Sequence, residues 1–394
     1  MTFDQRVVIK FGGADLATGE KVKRAAEMVL NSGYKEIVVV VSAMGTATDN
    51  LINIMSQIGG INDKDYADIV SMGERTSVRI FSSALRSMGA ETVYFDPDCE
   101  GWPIITDSNF KDAEPDLNET CKRVKRYIEP LLGNKIVVVC GFLGKDRNGN
   151  VTTLGRGGSD TTAMIIAHCL RAGEIILVKE TEGVMSADPK VVSTAKPLEK
   201  LDIYEMFALS HGGAKVLKAD ALKYKLPEQK LRIVSFHNGL AKGGTEILGV
   251  FDGKNPEIKE KKGLMAVSLV CDIIPERIGR IFQALGNRSI YGISTGRGTI
   301  TIFTSSEDSK ELLNRLHELG VSKALSSREK VALLELTSPV FIDSPGWIAK
   351  ISASLAAKDI NIIEMTTSKA TINVFIDESR ISEAAEVVRD ALAS

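Results

Sequence analysis

The sequence predicts an α/β protein: a three-layer αβα sandwich followed by a C-terminal pair of ferredoxin-like βαββαβ domains. Two observations carry that expectation. Through the first two-thirds of the chain, short apolar runs alternate with helix-like stretches, the pattern of a sheet covered by helices. Beyond that, one apolar pattern occurs twice in the same register. Pro275, Ile278, Ile281, Leu285, Ile290 and Ile293 recur as Pro345, Ile348, Ile351, Leu355, Ile360 and Ile363.

Taken in order, the strand-like runs of the first part are 7–10, 36–41, 92–95, 136–139, 175–178 and 231–235. Ile37 to Val41 and Ile136 to Val139 are apolar without alternation, as central parallel strands covered on both faces should be. Helices are expected at 19–31 and 75–88. The charged stretch 252–262, punctuated by Gly253 and Pro256, reads as a linker. In the first repeat a strand at 264–270 precedes Ile278, Ile281, Phe282 and Leu285, whose spacing makes one apolar helical face. A strand at 300–303 and a helix at 310–319 follow. The second repeat offers strands at 331–337 and 372–376 and a helix at 381–392. Domains are therefore expected at 1–251, 263–329 and 330–394, and the pattern leaves open whether one repeat interrupts the other.

Composition narrows the function classes. Apolar residues are 44 % and charged residues 25 % of the chain, and the formal net charge is −2. Nothing there calls for a nucleic-acid partner or an anionic membrane. No apolar run reaches the ~20 residues of a membrane span. A strand that starts almost at once leaves little room for a leader, so a cytoplasmic setting is expected. Cys99, Cys121, Cys140, Cys169 and Cys271 form no CxxC pair and read as reduced thiols. The four histidines are scattered, which argues against a His-ligated metal site.

The most informative segment is Thr152-Thr153-Leu154-Gly155-Arg156-Gly157-Gly158-Ser159-Asp160-Thr161-Thr162, between an apolar strand and an apolar helix. Its glycines let backbone approach a ligand, and the N–H groups of the following helix favour an anion. Arg156 adds a planar fork for a carboxylate or phosphate. Lys10, followed by Gly12 and Gly13, stands at the C-terminal end of the first strand, the edge where doubly wound sheets bind ligands. The Walker pattern GxxxxGK[ST] is absent at that loop.

Together with Val41-Ser42-Ala43-Met44-Gly45-Thr46-Ala47-Thr48-Asp49, Ser71-Met72-Gly73-Glu74, Ile105-Thr106-Asp107-Ser108-Asn109-Phe110, Gly183-Val184-Met185-Ser186-Ala187-Asp188-Pro189-Lys190 and Gly213-Ala214-Lys215, these segments resemble the aspartate kinases of the amino acid kinase family over nearly the whole chain. The tail, with Ser344-Pro345-Gly346-Trp347, resembles the paired ACT domains of those enzymes. The resemblance implies phosphoryl transfer from ATP, with Mg²⁺, to the side-chain carboxylate of L-aspartate, the first step towards lysine, threonine and methionine. It implies that Lys10 reaches the phosphoryl group in flight and that Asp160 orients Lys10 or the substrate amine. Ser42 and Thr48 would hold the side-chain carboxylate, Glu74 the α-ammonium and Arg156 the α-carboxylate, with Ser159 also on the substrate side. The nucleotide would lie against Lys10, Gly12, Gly13, Lys179, Glu180, Met185, Asp188, Lys190 and Lys215. Lysine or threonine would be the effector, and the ACT domains would join a homodimer or larger homo-oligomer.

The chain departs from that pattern at several points. Lys179-Glu180 replaces the family's usual Thr-Asp, and Met185 and Lys190 replace an aromatic residue and an arginine. Lys218-Ala219-Asp220 stands for the usual His-Pro-Arg. Ala14-Asp15 stands where hydroxyl residues usually follow the glycines, and Pro275-Glu276 where the first ACT helix usually opens with Pro-Gly. These departures keep two rival readings in view: a kinase for a related amino-acid carboxylate, and a non-catalytic amino-acid-sensing paralogue.

Overall fold

The apolar runs of the N-terminal part become the middle of an eight-stranded sheet. The computed structural model describes residues 5–211, 216–241, 243–251, 256–338, 340–343, 345–368 and 370–393, and the chain divides into two units, Met1–Phe251 and Asp252–Ser394. In chain order the first unit contains β1 (Arg6–Phe11), α1 (Gly19–Leu30), β2 (Glu36–Val41), α2 (Ala47–Ile58), α3 (Asp63–Ser87), β3 (Thr92–Phe95), β4 (Ile105–Thr106), α4 (Leu117–Arg123), β5 (Ile136–Cys140), β6 (Leu143–Asp146), β7 (Val151–Thr153), α5 (Gly158–Leu170), β8 (Glu174–Lys179), β9 (Lys200–Asp202), α6 (Ile203–His211), β10 (Lys230–Ser235) and β11 (Thr245–Leu248). The main sheet runs β3-β5-β2-β1-β8-β10-β11-β9. β1 lies between β2 and β8 and is parallel to both. Val7, Val8, Ile9 and Phe11 have no exposed surface, as a strand covered on both faces requires. A small sheet, β4-β6-β7, delivers the chain to α5.

Two expectations for this unit change. Helix α3 begins well before Arg75, at Asp63, where the Asn62 side chain accepts the Asp65 N–H at 2.9 Å as an N-cap. The Ser71–Glu74 motif therefore lies inside a helix. Secondly, Cys121 on α4 and Cys169 on α5 form a disulfide, where reduced thiols were expected. The packing of α4 against α5 brings them together across a separation of 48 residues, a pairing that no local spacing announces. Cys99, Cys140 and Cys271 are free.

The second unit is built on β12 (Glu257–Val270), α7 (Pro275–Leu285), β13 (Ile290–Gly296), β14 (Thr299–Ser305), α8 (Ser309–Glu318), β15 (Ala324–Thr337), α9 (Val340–Asp343), α10 (Trp347–Ala356), β16 (Ile362–Ser368), β17 (Thr371–Asp377) and α11 (Ile381–Ala393). One six-stranded sheet, β13-β14-β12-β15-β17-β16, contains both repeats. The long strands β12 and β15 pair antiparallel, and each serves both repeats. Leu264–Val270 pairs with β14 and with the first half of β15. Glu257–Lys261 pairs instead with residues 333–337, in the opening strand of the second repeat. The second repeat thus takes its fourth strand from before the first, so the first repeat is inserted into the second. This corrects the linker expectation for 257–262. The stretch is charged because most of its side chains face solvent, while Glu257–Lys261 pairs with β15 along one edge and Ile258 packs on the core. Residues 252–255 lie outside the described residues. Each repeat has its own core, one around Ile281, Leu285 and Ile302 and the other around Ile351, Leu355 and Val374. Phe303 and Phe375 stack between them with centroids 3.7 Å apart.

Candidate active site

The site grows from the C-terminal ends of β1 and β8. Phe11 lies beside Val178 in the parallel register, so Lys10 and Lys179 project from neighbouring strands on the same face. Helix α5 starts at Gly158 and presents Asp160 in its first turn. Lys10 Nζ is 2.7 Å from Asp160 Oδ1, and Lys179 Nζ donates a 3.3 Å hydrogen bond to Asp160 Oδ2. Lys10 and Asp160 are 5 % and 3 % exposed, so this charge is held away from water. Burial alone would raise the Asp160 carboxyl, but the two ammonium groups outweigh it and hold the carboxyl below its ordinary range. Burial lowers Lys179, Lys10 adds to that effect, and Asp160 opposes it.

The glycine turn after β1 carries a second buried acid. Asp15, 1 % exposed, accepts the Gly12 N–H at 2.9 Å through Oδ2, while its Oδ1 has no hydrogen-bond partner. Burial pushes its carboxyl up to about 6, against the pull of the Gly12 amide, Lys10 and Lys179. In this structure the Gly12 amide therefore meets a protein carboxylate, where the resemblance placed a phosphate oxygen. Gly13 is pressed against the loop after β2: a Cβ there would lie 2.6 Å from the Ala43 carbonyl, and its own carbonyl accepts the Gly45 N–H. That contact joins the Lys10 loop to the loop that carries Ser42.

The segments around Ser42, Thr48 and Glu74 also converge. Ser42 and Thr48 are half-buried. A Cβ on Gly73 would lie 2.7 Å from the Ala43 Cβ and 3.2 Å from Thr48 Oγ1, so α3 passes close to both. Glu74, 4 % exposed, accepts the Ala43 N–H at 3.1 Å through Oε1, and its Oε2 has no partner. Burial raises its carboxyl to about 7. A buried carboxyl with a spare oxygen could receive a cationic ligand group.

Arg156 sits exposed on the turn into α5, between Gly155 and Gly157, whose φ angles of +66° and +73° are left-handed. Lys218 anchors that turn: its Nζ donates to the Leu154 carbonyl at 3.0 Å and lies 3.7 Å from Asp112. Ser159 is buried against Gly141, where a Cβ would lie 2.6 Å from its own. Glu180 pairs with Lys21, which also donates to the Ala14 carbonyl. Met185 is half-buried and bridged to Pro197. Asp188 and Lys190 are exposed, and the Asp188 carboxylate accepts the Lys190 N–H across a tight turn. Lys215 lies outside the described residues. Of the expected set, Lys10, Asp160 and Lys179 form one cluster, and Thr48 and Glu74 gather beside Ala43. The sequence reading missed Asp15 as a charged member, having counted it only as lost hydroxyls, and it noted Lys218 only as a departure from the family pattern, without its bond to the Leu154 carbonyl.

The Amino acid kinase family model matches residues 5–235. The aspartate kinase of Stutzerimonas stutzeri (strain A1501) is 30 % identical, over 98 % of this chain and 96 % of that protein. The aspartate kinase of Synechocystis has a similar structure, with a TM-score of 0.75 at 22 % identity, covering 98 % of this chain and 69 % of that one. Aspartokinase III of E. coli, solved in complex with aspartate and ADP, aligns over 99 % of this chain and 100 % of its own, at 22 % identity and a TM-score of 0.58. The chain belongs to the amino acid kinase family and, within it, to the aspartate kinases.

Proposed function

We infer that the chain transfers the γ-phosphoryl group of ATP to the side-chain carboxylate of L-aspartate, giving 4-phospho-L-aspartate and ADP. One observation carries this reading: the buried Lys10–Asp160 pair at the C-terminal edge of β1, in a chain related end to end to aspartate kinases. A carboxylate oxygen attacks the γ-phosphorus while the bond to the bridging oxygen of ADP breaks. The nucleophile is already ionised, so no general base is needed. The protein's work is to hold two anions together and to spread the developing charge. Lys10 serves the moving phosphoryl group, and Asp160 positions Lys10. Glu74 receives the α-ammonium of aspartate, Arg156 and Ser159 its α-carboxylate, and Ser42 and Thr48 its side chain. Gly13, Lys179, Glu180, Met185, Asp188, Lys190 and Lys215 line the nucleotide side.

Among the described residues no cluster of three acidic, His or Cys side chains could cage a metal ion. Mg²⁺ in this proposal is carried on the nucleotide's phosphates and screens their charge, the usual mode for that ion. The second unit is proposed to bind an effector amino acid, lysine or threonine, and to join copies of the chain into a homodimer or larger oligomer. A cytoplasmic setting completes the proposal, and none of the described helices is long and apolar enough to cross a membrane.

The test is ADP release coupled to a spectrophotometric readout, with hydroxylamine trapping the acyl phosphate as a hydroxamate. L-Aspartate should support both signals and L-glutamate neither. Release without hydroxamate, or equal rates with glutamate, would reject the assignment.

A further inference from the structure

We propose that Lys179 is a second phosphate-binding cation, which binds the non-transferred phosphates of the nucleotide beside Lys10. The inference rests on the kinase reading and assigns a residue to its nucleotide side. The geometry begins with register. Lys10 pairs with Leu177, and Lys179 lies two residues further along β8, so both lysines share one sheet face. Each takes a different oxygen of the same Asp160 carboxylate. Two ammonium groups share the Asp160 carboxylate, and Asp15 is the other buried acid that acts on both, so the two lysines are held side by side where a polyphosphate can meet them. The Lys179 side chain is 21 % exposed and that of Lys10 is 7 %, so Lys179 stands nearer the opening.

The neighbouring loop supplies an independent reason. Ala14-Asp15 offers no hydroxyl donor, and the Asp15 carboxylate has taken the Gly12 amide. The loop after β1 has thus lost donors for a phosphate and gained a negative charge. Lys179 restores the positive charge from the adjacent strand. Glu180 does not cancel it, because Glu180 turns outward to Lys21. Asp160 fixes both ammonium groups in advance, so little side-chain entropy remains to be lost when polyphosphate binds.

The experiment compares wild type, Lys179→Gln and Lys179→Arg. Calorimetry with ATP, ADP and adenosine is run beside steady-state kinetics, and thermal melts check folding. Lys179→Gln should weaken ATP binding by about tenfold or more, as loss of a charge-assisted contact does. Adenosine affinity and the KM for aspartate should stay put, and Lys179→Arg should recover most of the ATP affinity. ATP affinity within about twofold of wild type in Lys179→Gln would overturn the proposal, because a lysine that only neutralises Asp160 changes melting and not polyphosphate binding. The binding arms do not need turnover. A wild type that binds ATP through Lys179 but never phosphorylates aspartate would sink the kinase reading and leave this one standing.

Discussion

If Glu74 receives the α-ammonium of aspartate, as proposed, one buried side chain couples recognition to pH. Its carboxyl is raised to about 7 by burial, and one oxygen has no hydrogen-bond partner. Only the ionised form attracts an ammonium group, so aspartate should bind better as pH rises through 7. Between pH 6 and 8 the KM for aspartate should fall by up to about tenfold. Glu74→Gln should flatten that dependence and leave KM high throughout; a variant that keeps the wild-type profile would remove Glu74 from the site. Stability runs the other way. Asp15 and Glu74 both have raised folded-state values, so the folded protein keeps protons that the unfolded chain releases. Their contribution is complete below the unfolded values near 4 and is lost as pH rises through about 6 and then 7. Ligand-free protein should therefore lose part of its melting temperature over that window, and the Glu74→Gln variant should lose less. Two further substitutions separate the roles around Asp160. Lys10→Ala should cut kcat by on the order of 10²–10³ if its charge serves the moving phosphoryl group as proposed. Arg156→Ala should raise the KM for aspartate by about tenfold to a hundredfold and leave that for ATP nearly unchanged, because Arg156 is proposed to hold the α-carboxylate and lies exposed, outside the Lys10–Asp160–Lys179 cluster. Equal effects on both substrates would place Arg156 elsewhere.

Among the elements, α5 links the chemistry to the frame. Its first turn holds Ser159 and Asp160, and near its last turn Cys169 is bonded to Cys121 of α4. Closing a 48-residue separation should stabilise the first unit by about 4 kcal/mol on chain-entropy grounds. Reductant, or Cys121→Ser, should lower its melting temperature by on the order of 10 °C. Melting that ignores reductant would mean that the thiols are unbonded in solution. How legible each element was depends on where its pattern came from. β2 and β5 were readable because burial on both faces leaves only Ile, Val and Cys once past Glu36. The first half of α3 was not, because a start crowded with Asp63, Lys64, Asp65 and Asp68 looks like a loop until its Asn62 cap is seen. Lys10, Asp160 and Glu74 could be found from local motifs. The bond from Lys179 to Asp160 could not, since it depends on the register of β1 against β8. Glu257–Lys261 misled for a related reason: its strand partner, residues 333–337, lies a whole repeat away.

In the whole molecule, the repeat insertion decides where the chain can be divided. A cut near Lys261 would strip the fourth strand from the second repeat, whereas a cut after Phe251 follows the boundary between the units. The 1–251 fragment carries every described residue assigned to catalysis, so it should keep measurable kinase activity and lose any response to amino acids. The two repeats are not equivalent as effector sites. Gly346 caps α10 with a φ of +98°, a conformation that suits a backbone approaching a ligand. In the first repeat α7 already begins at Pro275, after an extended Ile274, and Glu276 is an exposed acid in its first turn. A helix N-terminus with a glutamate in place repels the carboxylate of an amino acid. Effector binding should therefore be confined to the second repeat, with one site per chain. An effector can shift the enzyme only as far as its affinity differs between active and inactive arrangements. Lysine and threonine should be titrated into full-length enzyme with activity and calorimetric heat followed together. One site per chain, abolished by Gly346→Glu and untouched by Glu276→Gly, is the expected result. Two equal sites would refute the asymmetry. Silence in both readouts up to millimolar concentration would reject effector control and leave the second unit an assembly module.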